Sequence, residues 1–350
     1  MNKENTRRLK KIEDELERWL PENHDPERMD KIFPGLKKEI SLASFNALFA
    51  PSRDMIFRGG KRWRPLLMAL ICEILGGGDS ALPLAPLVEF SHNASLIHDD
   101  LEDDSDQRRG KPSIHQIYGA DTAINTGSFL YFLSLCCIEY FTGENKDRIY
   151  KLWAENARRL HLGQAMDISW HRDIEFIPGV EEYYAMCGMK TGSLARLAAE
   201  LGVYAAGISR DKADEAARLL GAASEKLGIG FQILDDVKNL TFNIPGKKYG
   251  DDIIEGKKSL PVILYLNKYP EKRGKIFYCL YEAKTNGASV PEIGEMTALL
   301  TNSGVLAEAE EKGTQLIHKA REFFNSGQYA GVPADNESLA LLDNLIESIS

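Results

Sequence analysis

The sequence predicts an all-α protein, folded as a helical bundle around one hydrophobic core. Apolar residues recur at intervals of three and four, as in Leu67, Leu70 and Ile74, which precede a run of three glycines. No segment shows a convincing alternation of apolar and polar residues, which would be typical of a half-buried strand. Because 43% of the 350 residues are apolar, the chain has ample material for a buried core.

Helical spacing continues along most of the chain, and Gly, Pro or polar residues separate the apolar runs. The later runs cover residues 83–101, 121–141, 147–170, 181–207, 213–240, 259–284, 291–302 and 304–325. Residues 1–30, which end near Pro21 and Pro26, are expected to form a peripheral helical arm. The sequence shows no clear linker, internal repeat or low-complexity tract, so residues 31–350 are expected to form a single domain.

Charge and cysteine content narrow the class of protein. A net charge of -9 argues against a nucleic-acid partner, which would attract a basic face. The five cysteines are an odd number and form no C-x-x-C pair, which favours a reduced, intracellular protein. The first twenty residues lack the apolar run of a secretory signal, and no later segment offers eighteen uninterrupted apolar residues. We therefore predict a cytoplasmic protein with no integral membrane association.

Six acidic residues lie within residues 99–106, at the end of an apolar helix. Negative charge is unfavourable there, because the helix dipole is negative at its C-terminal end and like charges four apart repel. Asp99 and Asp103 are four apart and share a helix face, which suits Mg²⁺, an ion that prefers oxygen ligands and binds phosphate. Arg108 and Arg109 follow and carry donors matched to a diphosphate. The alternative is a solvated loop whose acids pair with the adjacent bases.

A second acidic pair repeats this design. Asp235 and Asp236 end the apolar segment 227–234, which has helical spacing. If the two helices face one another across the bundle, their carboxylates would hold metal ions on both sides of one diphosphate. Taken alone, the second pair would more often be ordinary surface charge.

Together these residues resemble the trans-isoprenyl diphosphate synthases of the polyprenyl synthetase family. The family's first aspartate-rich motif, D-D-x-x-D followed by R-R-G, is matched by residues 99–110, and its second, F-Q-x-x-D-D, by residues 231–236. Its remaining elements are matched by G-K-x-x-R-P at 60–65, K-T-G at 190–192, G-K at 246–247 and G-K-K-S-L-P at 256–261. The resemblance implies a single-domain helical bundle of the isoprenoid synthase type, with a central active-site cavity.

One departure from the family pattern points to a subgroup. Asn239 stands where many members have a third aspartate in the second motif. Asparagine at this place resembles the eukaryotic-type geranylgeranyl diphosphate synthases, as do residues 92–96 and 162–168. We therefore interpret Asn239 as a mark of that subgroup and expect the enzyme to be active.

The resemblance implies that the chain condenses isopentenyl diphosphate with dimethylallyl, geranyl or farnesyl diphosphate in a magnesium-dependent reaction. The implied Mg²⁺ ligands are Asp99, Asp103 and Asp235. Cations that bind the allylic diphosphate would be Arg108, Lys190, Lys247 and Lys257. Isopentenyl diphosphate, which the family binds without metal, would contact Lys61, Arg64, His92 and Arg109. The allylic cation would be stabilised near Lys190, Thr191 and Gln232, while Asp100 and Asp236 orient ligands or water.

Product length depends on the depth of the apolar tunnel below the magnesium site. Ala94 and Ser95 lie five and four residues before Asp99, which places them about one helical turn, ~5.4 Å, deeper. Bulky aromatics at these places resemble farnesyl-making members, so small side chains should let a longer product pass. Residues that match the subgroup's bulky tunnel floor are Tyr131, Phe132 and His161. A twenty-carbon product is therefore expected, although the two aromatics would equally suit an ordinary core.

Two other functions compete with prenyl transfer. A class I terpene cyclase also uses an aspartate-rich motif, but this sequence lacks its N-D-x-x-S-x-x-x-E motif, and a cyclase needs no second diphosphate subsite. A non-catalytic regulatory partner of a prenyl transferase commonly loses the metal motifs, whereas this sequence retains both acidic pairs. The resemblance also implies a homodimer, for which the apolar segment 121–141 would serve.

Overall fold

The structure is a computed structural model that describes residues 3–23, 25–35, 41–241 and 250–349. Contacts between Cα atoms divide the chain into two compact units. The first unit comprises Met1–Ala154, Leu197–Gly221 and Gly327–Ser348, and the second comprises Glu155–Arg196, Ala222–Ser326 and Ile349–Ser350. That residues 31–350 act as a single domain stays a prediction.

The described residues are almost entirely helical, which confirms the predicted all-α class. Their helices are α1 (Lys3–Trp19), α2 (Pro26–Ile32), α3 (Leu42–Phe57), α4 (Trp63–Ile74), α5 (Ala85–Glu102), α6 (Ile114–Tyr118), α7 (Ala120–Glu139), α8 (Lys146–Arg172), α9 (Val180–Cys187), α10 (Ser193–Ala205), α11 (Arg210–Thr241), α12 (Asp251–Glu255), α13 (Leu260–Lys268), α14 (Arg273–Asn286), α15 (Pro291–Asn302), α16 (Val305–Asn325) and α17 (Asn336–Ile349). None of the helices in the described ranges is long and apolar enough to cross a membrane.

Two of the predicted helical runs are interrupted. The run at 181–207 contains α9 and α10 with a π-helix, Gly188–Gly192, between them. The run at 259–284 contains α13 and α14, which a short 3₁₀ turn, Pro270–Lys272, separates. Proline at the start of that turn has no amide hydrogen to continue α13, which explains the break.

A short antiparallel hairpin was not predicted from the sequence. Strands β1 (Gln107–Arg108) and β2 (Lys111–Pro112) pair directly after α5. The turn residues Arg109 and Gly110 have φ angles of 55° and 74°, as a two-residue hairpin turn with positive φ at both central positions requires. Strands of two residues are too short to show an alternating pattern, so periodicity could not reveal them.

The core of the first unit is built around α4 and α5. All but one of the twelve residues of α4 are buried, so this helix is apolar on nearly every side. Helix α1 packs against α4 and α5 and buries Ile12 and Leu16 completely. The segment expected to be a peripheral arm thus contributes side chains to the core of this unit.

The second unit has its own apolar clusters. One gathers Val262, Leu280 and Met296 with Leu240 near the end of α11. The other gathers Ile233, two residues before the second acidic pair, with buried residues of α9 and α13. Helix α11 is therefore fixed on two sides at the place where it carries Asp235 and Asp236.

Candidate active site

In the first unit, buried cations gather where α4 begins. Arg64, on the first turn of α4, is 7% exposed, and its Nη1 donates to Nε2 of the half-buried His92 at 3.4 Å. An imidazole nitrogen that accepts a hydrogen bond carries no proton, so His92 is neutral in this arrangement. Arg64 Nε is buried and has no acceptor among the described residues. A buried arginine with a spare donor is suited to receive an anion.

The pKa values of this group report an excess of positive charge. Burial lowers the pKa of Arg64 to about 10, and Arg109 adds to the shift while Glu89 opposes it. Burial, together with the charges of Arg64 and Arg109, holds the pKa of His92 well below its usual value of 6.5. Burial also lowers the pKa of Arg109. Positive charge that exceeds the neighbouring negative charge in a largely buried group favours the binding of an anion.

Arg109 reaches this group from the hairpin turn. Its Nη1 donates to Gly59 O and to Oδ1 of Asn93, at 3.2 Å from the latter. A Cβ on Gly60 would lie 3.2 Å from the Arg109 Cζ, and Gly60 has φ +135°, so both space and backbone favour glycine there. The next residue, Lys61, is exposed. Four residues were predicted for isopentenyl diphosphate. Three of them lie close enough to shift one another's pKa values: Arg64, His92 and Arg109.

The first aspartate-rich motif ends α5. Asp103 caps the helix, and its amide donates to Asp99 O at 2.9 Å. Asp100 is 1% exposed and accepts from Arg108 Nε at 2.8 Å, while Arg108 Nη2 lies 3.6 Å from Asp99 Oδ2. Burial raises the pKa of Asp100 although Arg108 opposes the shift. Arg108 is thus held against the acidic cluster, which is the pairing of acids with adjacent bases that the alternative of a self-paired loop describes.

In the second unit, the K-T-G motif occupies the π-helix. A Cβ on Gly163 would lie 2.4 Å from the Lys190 amide nitrogen, and a Cβ on Gly228 would lie 2.8 Å from Gly192 Cα. Glycine at 163 and 228 therefore lets α8 and α11 approach the π-helix backbone directly. Because a π-helix leaves the regular i to i−4 ladder, it is often found at functional sites.

Hydrogen bonds connect the predicted catalytic side chains of the second unit. Thr191 Oγ1 donates to Gln232 Oε1 at 2.7 Å, and Gln232 Nε2 donates to Asp236 Oδ1 at 2.8 Å. The Tyr183 hydroxyl donates to Asp236 Oδ2 at 2.5 Å. Burial raises the pKa of Asp236 to about 6, against the hydrogen bonds from Tyr183 and Gln232 that lower it. These bonds fix which end of the Gln232 amide faces Thr191.

Two partners in this group were not predicted from the sequence. Lys190 Nζ donates to Asp167 Oδ2 at 2.7 Å, and Tyr183 binds Asp236 as described above. Asp167 lies within the stretch 162–168 that resembles the subgroup, so that resemblance could have drawn attention to Asp167 as a candidate site residue. Tyr183 lies 53 residues before Asp236, and no local pattern connects the two.

The structure gives fewer contacts for the other charged residues predicted in the second unit, and it does not describe one of them. Lys257 pairs with Glu255 and lies 4.0 Å from Asp252 Oδ1. Asp235 adjoins Asp236 on α11, and Lys247 lies outside the described residues. Asn239, the subgroup mark, is 2% exposed and its Oδ1 accepts the Asp252 amide at 3.3 Å.

The predicted chain-length residues differ in burial. Ala94 is fully buried, and Ser95 shares a hydrogen bond with Tyr131, which is 8% exposed. Phe132 is 67% exposed, and His161, whose Nδ1 donates to Ala157 O at 2.8 Å, is exposed as well. A tunnel floor needs a side chain inside the protein. Within one chain Tyr131 meets this condition, whereas Phe132 and His161 do not.

Comparison with known proteins places the chain in a family. A sequence model of the polyprenyl synthetase family matches residues 46–297. The chain belongs to the polyprenyl synthetase family. It is 32% identical over 315 residues to the geranylfarnesyl diphosphate synthase of Aeropyrum pernix, a match that covers 86% of this chain and 93% of the relative. It is 30% identical over 317 residues to the geranylgeranyl diphosphate synthase of Saccharolobus solfataricus, covering 89% and 86%.

Solved structures agree with this polyprenyl synthetase in fold. The geranylgeranyl pyrophosphate synthetase from Pyrococcus horikoshii Ot3 is 26% identical, covers 99% of this chain and 96% of its own, and has a TM-score of 0.80. The polyprenyl synthase from Caulobacter crescentus CB15, solved with calcium and isoprenyl diphosphate, is 23% identical, with coverages of 99% and 97% and a TM-score of 0.77. The predicted isoprenoid synthase fold is confirmed. As a polyprenyl synthetase the chain is a trans-prenyltransferase, which joins isopentenyl diphosphate to an allylic diphosphate.

The donor set of this polyprenyl synthetase suits the divalent metal that the family uses. Asp99 and Asp103 lie at the end of α5, and Asp100 Oδ2 is a buried carboxylate oxygen with no donor among the described residues. In the part of the chain that the structure describes, no three His, Cys, Asp or Glu side chains are gathered as a metal site. Mg²⁺ commonly takes one or two carboxylates and completes its shell with water and substrate phosphate. A pair such as Asp99 and Asp103 fits that mode of binding.

Proposed function

We propose that this polyprenyl synthetase makes geranylgeranyl diphosphate in the cytoplasm by adding isopentenyl diphosphate to an allylic diphosphate. The observation that carries the proposal is the excess of positive charge on buried and half-buried side chains in the first unit. Arg62, Arg64 and Arg109 share one buried acid, Glu89, and Arg64 retains a buried donor with no acceptor among the described residues. This arrangement supports a subsite for a diphosphate that binds without metal.

The allylic diphosphate has a different set of proposed contacts. Asp99, Asp103 and Asp235 are the proposed Mg²⁺ ligands. When bound, Mg²⁺ stabilises the negative charge that develops on the departing diphosphate. Arg108, Lys190, Lys247 and Lys257 are proposed to add positive charge to the same leaving group. Arg108 Nη2 lies 3.6 Å from Asp99 Oδ2, so its guanidinium lies beside one of the proposed metal ligands.

The allylic cation that forms on ionisation needs nearby dipoles and no water. We assign this role to Lys190 and Thr191, through their backbone carbonyls, and to the side chain of Gln232. Gln232 Oε1 faces Thr191 because Nε2 is committed to Asp236, so the amide is held in one orientation. The departing diphosphate is the proposed base for the final proton, so no side-chain nucleophile is needed.

The length of the product is proposed to depend on Ala94, Ser95 and Tyr131. Ala94 and Ser95 leave room one turn before Asp99, and Tyr131 is a bulky buried side chain in contact with Ser95. Relatives of this chain are named as geranylgeranyl and geranylfarnesyl diphosphate synthases, whose products have twenty and twenty-five carbons. The small-then-bulky order supports the shorter of these two products.

A homodimer is proposed through the exposed apolar side of α7. Ile124 and Phe132 are two turns apart on this helix and are 52% and 67% exposed. Large apolar side chains exposed on one face are typical of an interface. Phe132, which a single chain leaves exposed, would be covered in such a dimer.

The test is to incubate the purified chain with Mg²⁺, isopentenyl diphosphate and each allylic primer, and to measure the product by mass. A twenty-carbon diphosphate is expected, made only when both substrates are present. A terpene cyclase would consume the allylic diphosphate without isopentenyl diphosphate. A regulatory partner would consume neither. Either of the last two outcomes would contradict the proposal.

A further inference from the structure

Helix α1 is connected to the cationic subsite through Arg62. Glu13 on α1 accepts from Arg62 Nε at 2.7 Å, and Arg62 Nη1 donates to Glu89 on α5 at 2.7 Å. Arg62 Nη2 also donates to Ile56 O at 2.5 Å. The Arg62 and Glu89 side chains are 2% and 3% exposed, whereas Glu13 is 41% exposed. Arg62 therefore joins a surface carboxylate to a buried one.

The connection continues from Glu89 to Arg109. Asn93 Nδ2 donates to Glu89 O at 2.8 Å and to Glu89 Oε1 at 2.9 Å. Asn93 Oδ1 accepts from Arg109 Nη1 at 3.2 Å. Glu13, Arg62, Glu89, Asn93 and Arg109 thus form one continuous series of hydrogen-bonded side chains, which we call the α1 relay. Hydrogen bonds in such a buried series polarise and orient one another.

The chemistry of position 93 requires an amide. The side chain donates to a carboxylate on one side and accepts from a guanidinium on the other, and it is completely buried. A carboxylate at this position would face Glu89 with like charge and would cancel part of the positive charge of Arg109. An apolar side chain would leave both partners without their bonds, which is costly in a buried site.

The α1 relay also holds the backbone of Arg62 in an unfavourable conformation. Arg62 has φ 47° and ψ 28°, a left-handed conformation that is unfavourable for a residue with a side chain. Lys61 precedes it and Arg64 lies on the first turn of the helix that follows, so the directions of both depend on this conformation. Four side-chain hydrogen bonds hold Arg62 in place and offset the cost.

We infer that Glu13 and Asn93 are positioning residues for isopentenyl diphosphate. Asn93 orients the Arg109 guanidinium, and Glu13 on α1 acts through Arg62 and Glu89. The inference rests on the proposed function, because it assigns the cationic subsite to that substrate. It gives the N-terminal helix a part in substrate affinity without any contact between α1 and the substrate.

The test compares Glu13→Gln with Glu17→Gln. Both residues lie on α1 with similar exposure, 41% and 54%, but Glu17 pairs with Arg53 at 3.4 Å and has no part in the α1 relay. With the allylic substrate saturating, Glu13→Gln should raise the KM for isopentenyl diphosphate about fivefold to tenfold, since it weakens a charge-assisted bond. The KM for the allylic diphosphate, kcat and the melting temperature should stay near those of the unmodified chain.

Asn93→Ser supplies an independent readout. It should raise the same KM more than Glu13→Gln does, and the double variant should raise it by less than the product of the two single effects, because both act on one series. If Asn93→Ser fails to fold, Glu13→Gln decides alone.

Two results would overturn the inference while leaving the proposed function intact. One is equal KM values for isopentenyl diphosphate in Glu13→Gln and Glu17→Gln. The other is an equal rise in the KM of both substrates together with a lower melting temperature, which indicates a merely structural role. An unmodified chain that consumes no isopentenyl diphosphate would instead refute the proposed function, and the inference with it.

Discussion

At the scale of single residues, burial separates the chain-length candidates that the sequence could not separate. Tyr131 and Phe132 are adjacent on α7, yet one is 8% exposed and the other 67%. Neighbouring helix positions differ by about 100° in direction, so the two rings lie on different faces of α7. Helical periodicity in an apolar segment does not reveal which of the two faces inward.

Tyr131→Ala is therefore expected to lengthen the product, and Phe132→Ala is its matched control. Removing the buried ring opens space beside Ser95, so chains at least one five-carbon unit longer than geranylgeranyl should appear in the mass spectrum. Phe132→Ala should leave the product spectrum of the chain unchanged. If Phe132→Ala lengthened the product and Tyr131→Ala did not, the tunnel floor would be formed by Phe132 and not by Tyr131.

Asp99→Ala is expected to reduce turnover by about a thousandfold or more, because it removes a proposed oxygen ligand of the metal that would stabilise the leaving group. The control is Asp104→Ala in the same acidic cluster, since the Asp104 side chain is 94% exposed. Turnover with Mg²⁺ and the melting temperature should be measured for both. Comparable activity in the two variants would remove Asp99 from the metal site.

At the scale of elements, the sequence predicted the motif residues but not the residues that hold them in position. The sequence places Lys190 and Thr191 next to each other, but the π-helix that carries them depends on glycines in α8 and α11. Arg62 and Glu13 are 49 residues apart, so no local pattern connects them. Local spacing therefore predicts which residues carry the chemistry, whereas the residues that orient them depend on tertiary contacts.

Gly163→Ala tests the close approach of α8 to the π-helix. Its Cβ would lie 2.4 Å from the Lys190 amide nitrogen, so the backbone must shift, at a cost of about 1–3 kcal/mol. Lower turnover and a lower melting temperature are expected. Gly294→Ala is the control, because nothing lies within 4 Å of its Cβ in α15 and helix propensity favours alanine there. Similar effects of the two substitutions would refute the close-packing argument.

At the scale of the whole molecule, the dimer proposal makes a direct prediction. Phe132→Glu places a charge on the exposed apolar side of α7, so the dimer dissociation constant should rise about thirtyfold or more. Sedimentation velocity over a range of concentrations measures this change. Lys151→Glu, at an exposed polar position of α8, is the control. A sedimentation profile that Phe132→Glu leaves unaltered would exclude this side of α7 as the interface.

Stability should also depend on pH through His171. Burial lowers the pKa of His171 to about 4, and the charge of Lys284 adds to the shift. An unfolded histidine titrates near 6.5. The unfolded chain therefore binds the proton first, and stability falls as the pH drops from about 6.5 towards 4. His171→Asn should show a smaller loss of melting temperature between pH 7 and pH 5, whereas His318→Asn, at a side chain 66% exposed, should behave like the unmodified chain.

The two units contribute different chemistry to the proposed reaction. The first carries the buried arginines and the first acidic cluster, and the second carries the π-helix, Gln232 and the second acidic pair. Every residue proposed for isopentenyl diphosphate belongs to the first unit, and none of them is a proposed metal ligand. Binding of that substrate should accordingly be separable from metal binding.

The most direct measurement is the binding of isopentenyl diphosphate by titration calorimetry, with EDTA present to remove divalent metal. The unmodified chain is expected to bind without metal, and Arg64→Ala should bind about a hundredfold more weakly, since it deletes a buried guanidinium. Binding that requires Mg²⁺, or equal affinity in the two proteins, would contradict the central role of the buried arginines in holding this substrate.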